Sequence, residues 1–112
     1  MRHAGPAIRY HLTPERYQEA LAVLTHVENS AQPEKEAEQL AKLITTLTKE
    51  GLEFFFLHPL RSAKVGIITM KTAEVGVAAS AKVFTPVITK VVKSLNRDQI
   101  LSICHFMREL IS

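Results

Sequence analysis

The sequence predicts an all-α fold, a bundle of four to five helices with one long, proline-kinked central helix. Three observations carry that prediction. Apolar residues recur at three- and four-residue spacing through most of the chain. Helix-start signatures stand at Thr13-Pro14-Glu15 and at Asn96-Arg97-Asp98-Gln99. Between Leu60 and Leu95 the lysines separate from the bulky apolar side chains when each residue is turned by 100°, a separation that strands would not give.

The first helix is expected over residues 14 to 28. Thr13 supplies a capping oxygen, Pro14 suits the first helical position, and Glu15 lies near the positive end of the helix dipole. Tyr17, Ala20, Leu21, Leu24 and Val27 then form one face. Pro33, with Glu34, Glu36 and Glu38 behind it, opens a second helix over 33 to 50 whose stripe is Ala37, Leu40, Ala41, Ile44 and Leu47. Gly51 is expected to close it, because glycine enters the left-handed C′ position at low cost. Leu52 and Leu47 then occupy the positions that touch in a Schellman ending.

A third helix is expected over 52 to 84. Its first part, Leu52-Glu53-Phe54-Phe55-Phe56-Leu57, is apolar nearly all round and reads as core. Pro59 removes a backbone donor and disfavours α geometry at His58, so a kink or break is expected there. Beyond it, Ala63, Gly66, Ile67, Met70, Ala73, Val77, Ala81, Phe84, Ile88, Val91, Val92 and Leu95 fall within about a third of the wheel. One straight rod from Leu60 to Leu95 would be about 54 Å long, against about 35 Å for a compact domain of this size. A bend or break near Thr85, before Pro86, is the expected resolution, with a short helix over 86 to 95; a partner chain covering the excess is the alternative. The third helix is expected to be the spine on which the first, second and last pack, with Phe84 in the core.

Asn96 and Gln99 match a capping box, with Leu95 and Ile100 placed for a hydrophobic staple. The last helix, 97 to 111, should bury Ile100, Ile103, Cys104, Met107 and Ile111.

The 112 residues, 46% of them hydrophobic, suit one domain with a genuine core. Residues 1 to 12 read as an N-terminal arm. One cysteine cannot form an internal disulfide, and the N-terminus lacks the apolar run of a signal peptide, so a cytoplasmic protein is expected. Lys71, Glu74, Lys82 and Lys90 interrupt the longest apolar region, which points away from a transmembrane segment. The basic balance belongs to the second half. Residues 1 to 50 carry six bases against seven acids, and residues 51 to 112 carry eight against four.

No phosphate loop, nucleophile elbow, Cys-x-x-Cys, His-Glu-x-x-His or EF-hand loop is present, so the sequence gives no catalytic residue, cofactor or metal site. Cys104 and His105 are neighbours, but adjacent helical residues point about 100° apart, which favours a buried, inert thiol. The five histidines offer no pair at three- or four-residue spacing. Glu74, at the edge of the apolar face, is expected to pair with Lys71.

Two features suggest partners. Arg61, Lys64, Lys71, Lys82, Lys90 and Lys93 gather on one arc as a candidate binding surface. Gly66, Ala73 and Ser80 recur every seven residues as a candidate helix contact. The leading expectation is a helical interaction protein, without enzymatic activity, that forms a homo-oligomer, a dimer by preference, through its long helix. The alternative is a peripheral binder of anionic membrane or storage-granule surfaces through a basic amphipathic helix. An enzyme or small-ligand binder with a hidden pocket is a third. Nucleic acid is disfavoured, because Arg61 is the only arginine in the arc and no aromatic residues interleave with the lysines.

Overall fold

A computed structural model describes residues 6–111, in which every regular element is helical. Helix α1 spans Pro14–Asn29, and a short 3-10 turn, Pro33–Glu36, leads into α2, Ala37–Leu52. A π-helical stretch, Glu53–Leu57, carries the same rod on into α3, His58–Ser62. Helix α4 is Ile67–Lys93 and α5 is Arg97–Leu110. The all-α class is as the sequence predicts.

The ends of α1 and α5 follow the predicted chemistry. Thr13 Oγ1 accepts the Arg16 amide at 3.1 Å. Asn96 and Gln99 exchange both capping-box bonds, each at 2.9 Å. These reciprocal bonds satisfy amides that would otherwise have no intrahelical acceptor.

The rod from Ala37 to Ser62 turns over residues 63–66 and returns as α4, so the central feature is a long helical hairpin in which α4 packs chiefly on α2. At its base, α1 packs on α2 and α5 packs on α1 and the 3-10 turn. There Ala20, Leu24 and Val27 of α1, Ala37, Leu40, Ala41 and Leu43 of α2, Val92 of α4, and Ile100, Cys104 and Met107 of α5 form one buried core. Towards the tip only Leu57, Ala73 and Val77 are buried together, flanked by Leu60 and Met70. The molecule is accordingly elongated, 51 × 33 × 25 Å. Its radius of gyration of 16.0 Å exceeds the roughly 13 Å of a compact domain of this length.

Several expectations are corrected. The spine is α2, which touches α1, α4 and the turns, whereas α4 is covered mainly from one side. Gly51 does not close the second helix: it has no positive φ, and helical backbone continues through it. The Schellman ending lies at the hairpin tip instead. Lys64 occupies the left-handed C′ position (φ 56°), and its amide donates to the Arg61 carbonyl while the Val65 amide donates to that of Leu60.

Neither proline breaks its helix. Before Pro59 the backbone widens, with the His58 amide donating to the Glu53 carbonyl five residues back. That extra residue in the turn accommodates a ring that would clash with, and fail to donate to, the carbonyl four residues earlier. Helix α4 runs unbroken through Pro86. Of the apolar run before Pro59 only Leu57 is buried; Phe55 and Phe56 are half exposed, and Phe84 stays partly buried outside the main core.

Candidate docking surface

Helix α4 has three flanks, and only one is covered. Met70, Ala73, Val77, Ala81, Phe84, Ile88 and Val92, spaced three and four apart, are its buried and half-buried apolar residues and face the hairpin seam. The predicted face is therefore correct from Met70 to Ile88 and at Val92, whereas Ile67 and Val91, also assigned to it, are exposed. The remaining surface is unusually apolar for solvent: Ile67, Ile68, Val75, Val83, Val87 and Val91 are 54 to 84% exposed. Single exposed aliphatics are ordinary on a soluble domain; six on one helix, spread over two flanks, are more than that. By length and composition alone α4 is long and apolar enough to cross a membrane, and only 11% of its most apolar window is buried.

At 100° per residue, Gly76, Ser80, Val83, Val87 and Val91 form one uncovered flank within about 80°. Among the described residues no other part of the chain comes within 4 Å of the place a Gly76 Cβ would take, so the small-residue end of that flank is open. Of the candidate helix-contact residues, Ala73 is buried against Leu57 and Val77, Ser80 is exposed on α4, and Gly66 is the N-cap with open space around it. The three do not share one contact.

The six basic candidates are all exposed. Lys71, Lys82 and Lys93 lie on α4 in one line, Lys90 borders the valine flank about 20° from Val83, and Lys64 sits in the tip turn. Arg61 stands apart on α3, where its guanidinium lies 3.6 Å from Glu74. Glu74 thus pairs across the hairpin with Arg61 and not, as expected, with Lys71 along its own helix.

A cleft of about 320 Å³ opens between the segment before α1 and the π turn, lined by Tyr10, His11, Glu50, Glu53, Phe54 and His58 among others. Tyr10, which the sequence placed in the N-terminal arm, donates to the Leu47 carbonyl at 3.0 Å and rests against Phe54 and Phe55. Residues 1–5 of that arm lie outside the described residues. Burial, with Glu50 nearby, raises the Tyr10 pKa. Glu50 Oε2 accepts from Arg16 Nε at 2.9 Å. Its Oε1 is sealed from solvent and has no hydrogen-bond partner among the described residues, so it is not presented to the cleft. Among the described residues no group of three metal-ligating side chains comes together.

Cys104 lies in the main core, where burial pushes its thiol up to about 11, with Glu28 adding to the shift. A thiol so held is protonated at neutral pH and is a poor nucleophile. Glu28 is itself engaged, accepting from Arg108, which also donates to Thr25 and so ties α5 to α1. Both the exposed valine flank and the half-exposed Phe55-Phe56 pair were visible in the sequence as apolar residues. What the sequence lacked was which of them the other helices would leave uncovered. No protein-family model, curated protein or solved structure matches this chain.

Proposed function

We propose that this chain is a helical interaction protein that self-associates through the uncovered flank of α4. The observation that carries the reading is that flank itself: Gly76, Ser80, Val83, Val87 and Val91, free of charge and mostly exposed on a helix about 40 Å long. The flank itself, from Gly76 to Val91, runs about 23 Å, four helical turns against which a second helix can lie. Small residues at Gly76 and Ser80 allow a second helix to approach closely, and the valines beyond them supply apolar contact. A two-fold pair, the commonest arrangement, would place the same flank on both partners.

The test is the mass of the native protein by sedimentation equilibrium at high micromolar concentration. The expected result is twice the chain mass. In the variant Val83→Glu/Val87→Glu, whose side chains are exposed and not needed for the fold, the mass should fall to that of one chain with the helical circular dichroism unchanged. A wild-type mass of one chain at that concentration would overturn the proposal.

A further inference from the structure

A second uncovered flank of α4 differs from the first in kind. Lys71, Lys82 and Lys93 stand eleven residues apart, which is three helical turns with only about 20° of drift, so they form a nearly straight line along the helix. Ile68 and Val75 fall on the same arc, about 60° wide, and are 84% and 67% exposed. Ile67, 80% exposed, and Lys64 adjoin them at the hairpin tip.

From Arg61 to Lys93 the chain carries six basic residues and a single acid, Glu74. That acid is engaged by Arg61, and among the described residues none of Lys71, Lys82 and Lys93 has an acid within salt-bridge distance. The segment is thus +5 in a chain of net +3, and the rest of the chain sums to −2. Positive charge is concentrated along the helix that carries most of the exposed aliphatic side chains.

From this pattern we infer that the Lys71–Lys82–Lys93 flank and the adjoining hairpin tip lie on an anionic lipid bilayer. The lysines meet headgroup phosphates, and Ile67, Ile68 and Val75 enter the boundary between headgroups and acyl chains. Charge complementarity selects the partner: the row is cationic and without acids. The isoleucines and the valine select lipid over other polyanions, because a long lysine side chain lays its stem along apolar surface and reaches up to the headgroups while its neighbours insert. A nucleic acid would gain nothing from exposed aliphatics and would favour arginine forks or aromatic stacking, which this row lacks. The flank is separate from the one assigned to self-association, so the two properties can fail independently.

Co-sedimentation of the full chain with phosphatidylglycerol–phosphatidylcholine vesicles, and with pure phosphatidylcholine vesicles, tests the inference. Binding is expected on the anionic vesicles only and should weaken as salt is raised. Each lysine near such a surface is worth about fivefold in affinity, so Lys71→Gln/Lys82→Gln should weaken binding about thirtyfold. Ile68→Ser/Val75→Ser, which leaves every charge in place, should weaken it by at least about tenfold. All four side chains are exposed, and circular dichroism checks that the variants remain helical. The salt series and the neutral vesicles test the wild-type chain without any variant.

Absence of binding to anionic vesicles at low salt would overturn the inference. So would binding that ignores Ile68→Ser/Val75→Ser, since the row would then be a general polyanion surface, as would competition by duplex DNA at equal phosphate concentration. The variant Val83→Glu/Val87→Glu should lose self-association, and loss of that property with retained vesicle binding would separate the two flanks.

Discussion

Cys104 shows how one residue's setting decides its chemistry. It sits in the main core at 0% exposure, and its thiol titrates near 11 and not near 9. Below about pH 9 the thiol is protonated in both the folded and the unfolded chain and adds nothing to the pH dependence of stability. Between about 9 and 11 the unfolded chain ionises while the folded one does not, so stability falls as pH rises and levels off above the folded value. A two-unit shift corresponds to on the order of 2–3 kcal/mol. Denaturant unfolding at pH 7, 9 and 11 should show a steeper alkaline loss in the wild type than in Cys104→Ala, and equal slopes would refute the assignment. This much was legible in the sequence, because Cys104 falls on the stripe of Ile100, Met107 and Ile111. The left-handed Lys64 was not. A Schellman ending was anticipated at Gly51, where the residue type is ideal, yet it formed where Leu60 and Val65 could complete it, despite a side chain that disfavours positive φ.

At the scale of the element, periodicity proved more informative than punctuation. The three-and-four spacing that predicted α4 holds from Met70 to Val92, whereas both internal prolines were expected to bend or break helices whose hydrogen-bonded backbone in fact continues. The reason is that a proline removes one hydrogen bond, while packing along a hairpin is worth many contacts. At Pro86 the cost falls on the Lys82 carbonyl, and Thr85 Oγ1 and Thr89 Oγ1 bond back to Ala81 and Thr85 at 2.6 and 2.9 Å on either side of it. An alanine there restores the donor and removes the ring, and interior proline costs about 3 kcal/mol relative to alanine. Pro86→Ala is expected to raise stability by about 1–3 kcal/mol, read from the urea midpoint at unchanged slope. A midpoint at or below the wild-type value would mean that the proline geometry is itself needed by the α2–α4 seam.

For the molecule as a whole, the decisive fact is an uneven core. Eleven buried side chains from four helices gather at the base, while three hold the tip together. The sequence identified nearly all of the base residues, because each helix shows its own stripe. It could not show that α4 would be covered by one neighbour instead of three, since that depends on how helices are arranged and not on any one helix's pattern. The candidate surface was legible to the same degree: its lysines were named, but its exposed valines were assigned to the interior or passed over. Amide hydrogen exchange should reveal the two tiers, with protection high around Leu24, Leu40 and Cys104 and lower by orders of magnitude around Phe55 and Val75. Uniform protection along α4 would contradict a weakly held tip. The π turn at Glu53–Leu57 adds a phase relation to this uneven build. By inserting one residue into a helical rod, it sets the angular bearing of Leu57 and Leu60 relative to everything before Glu53. Five residues there turn through about the angle that four take in an α-helix, so removing a single phenylalanine from the run would return the rod to uniform winding with Leu57 and Leu60 still on Ala73 and Val77, and the far half of the hairpin would stay closed.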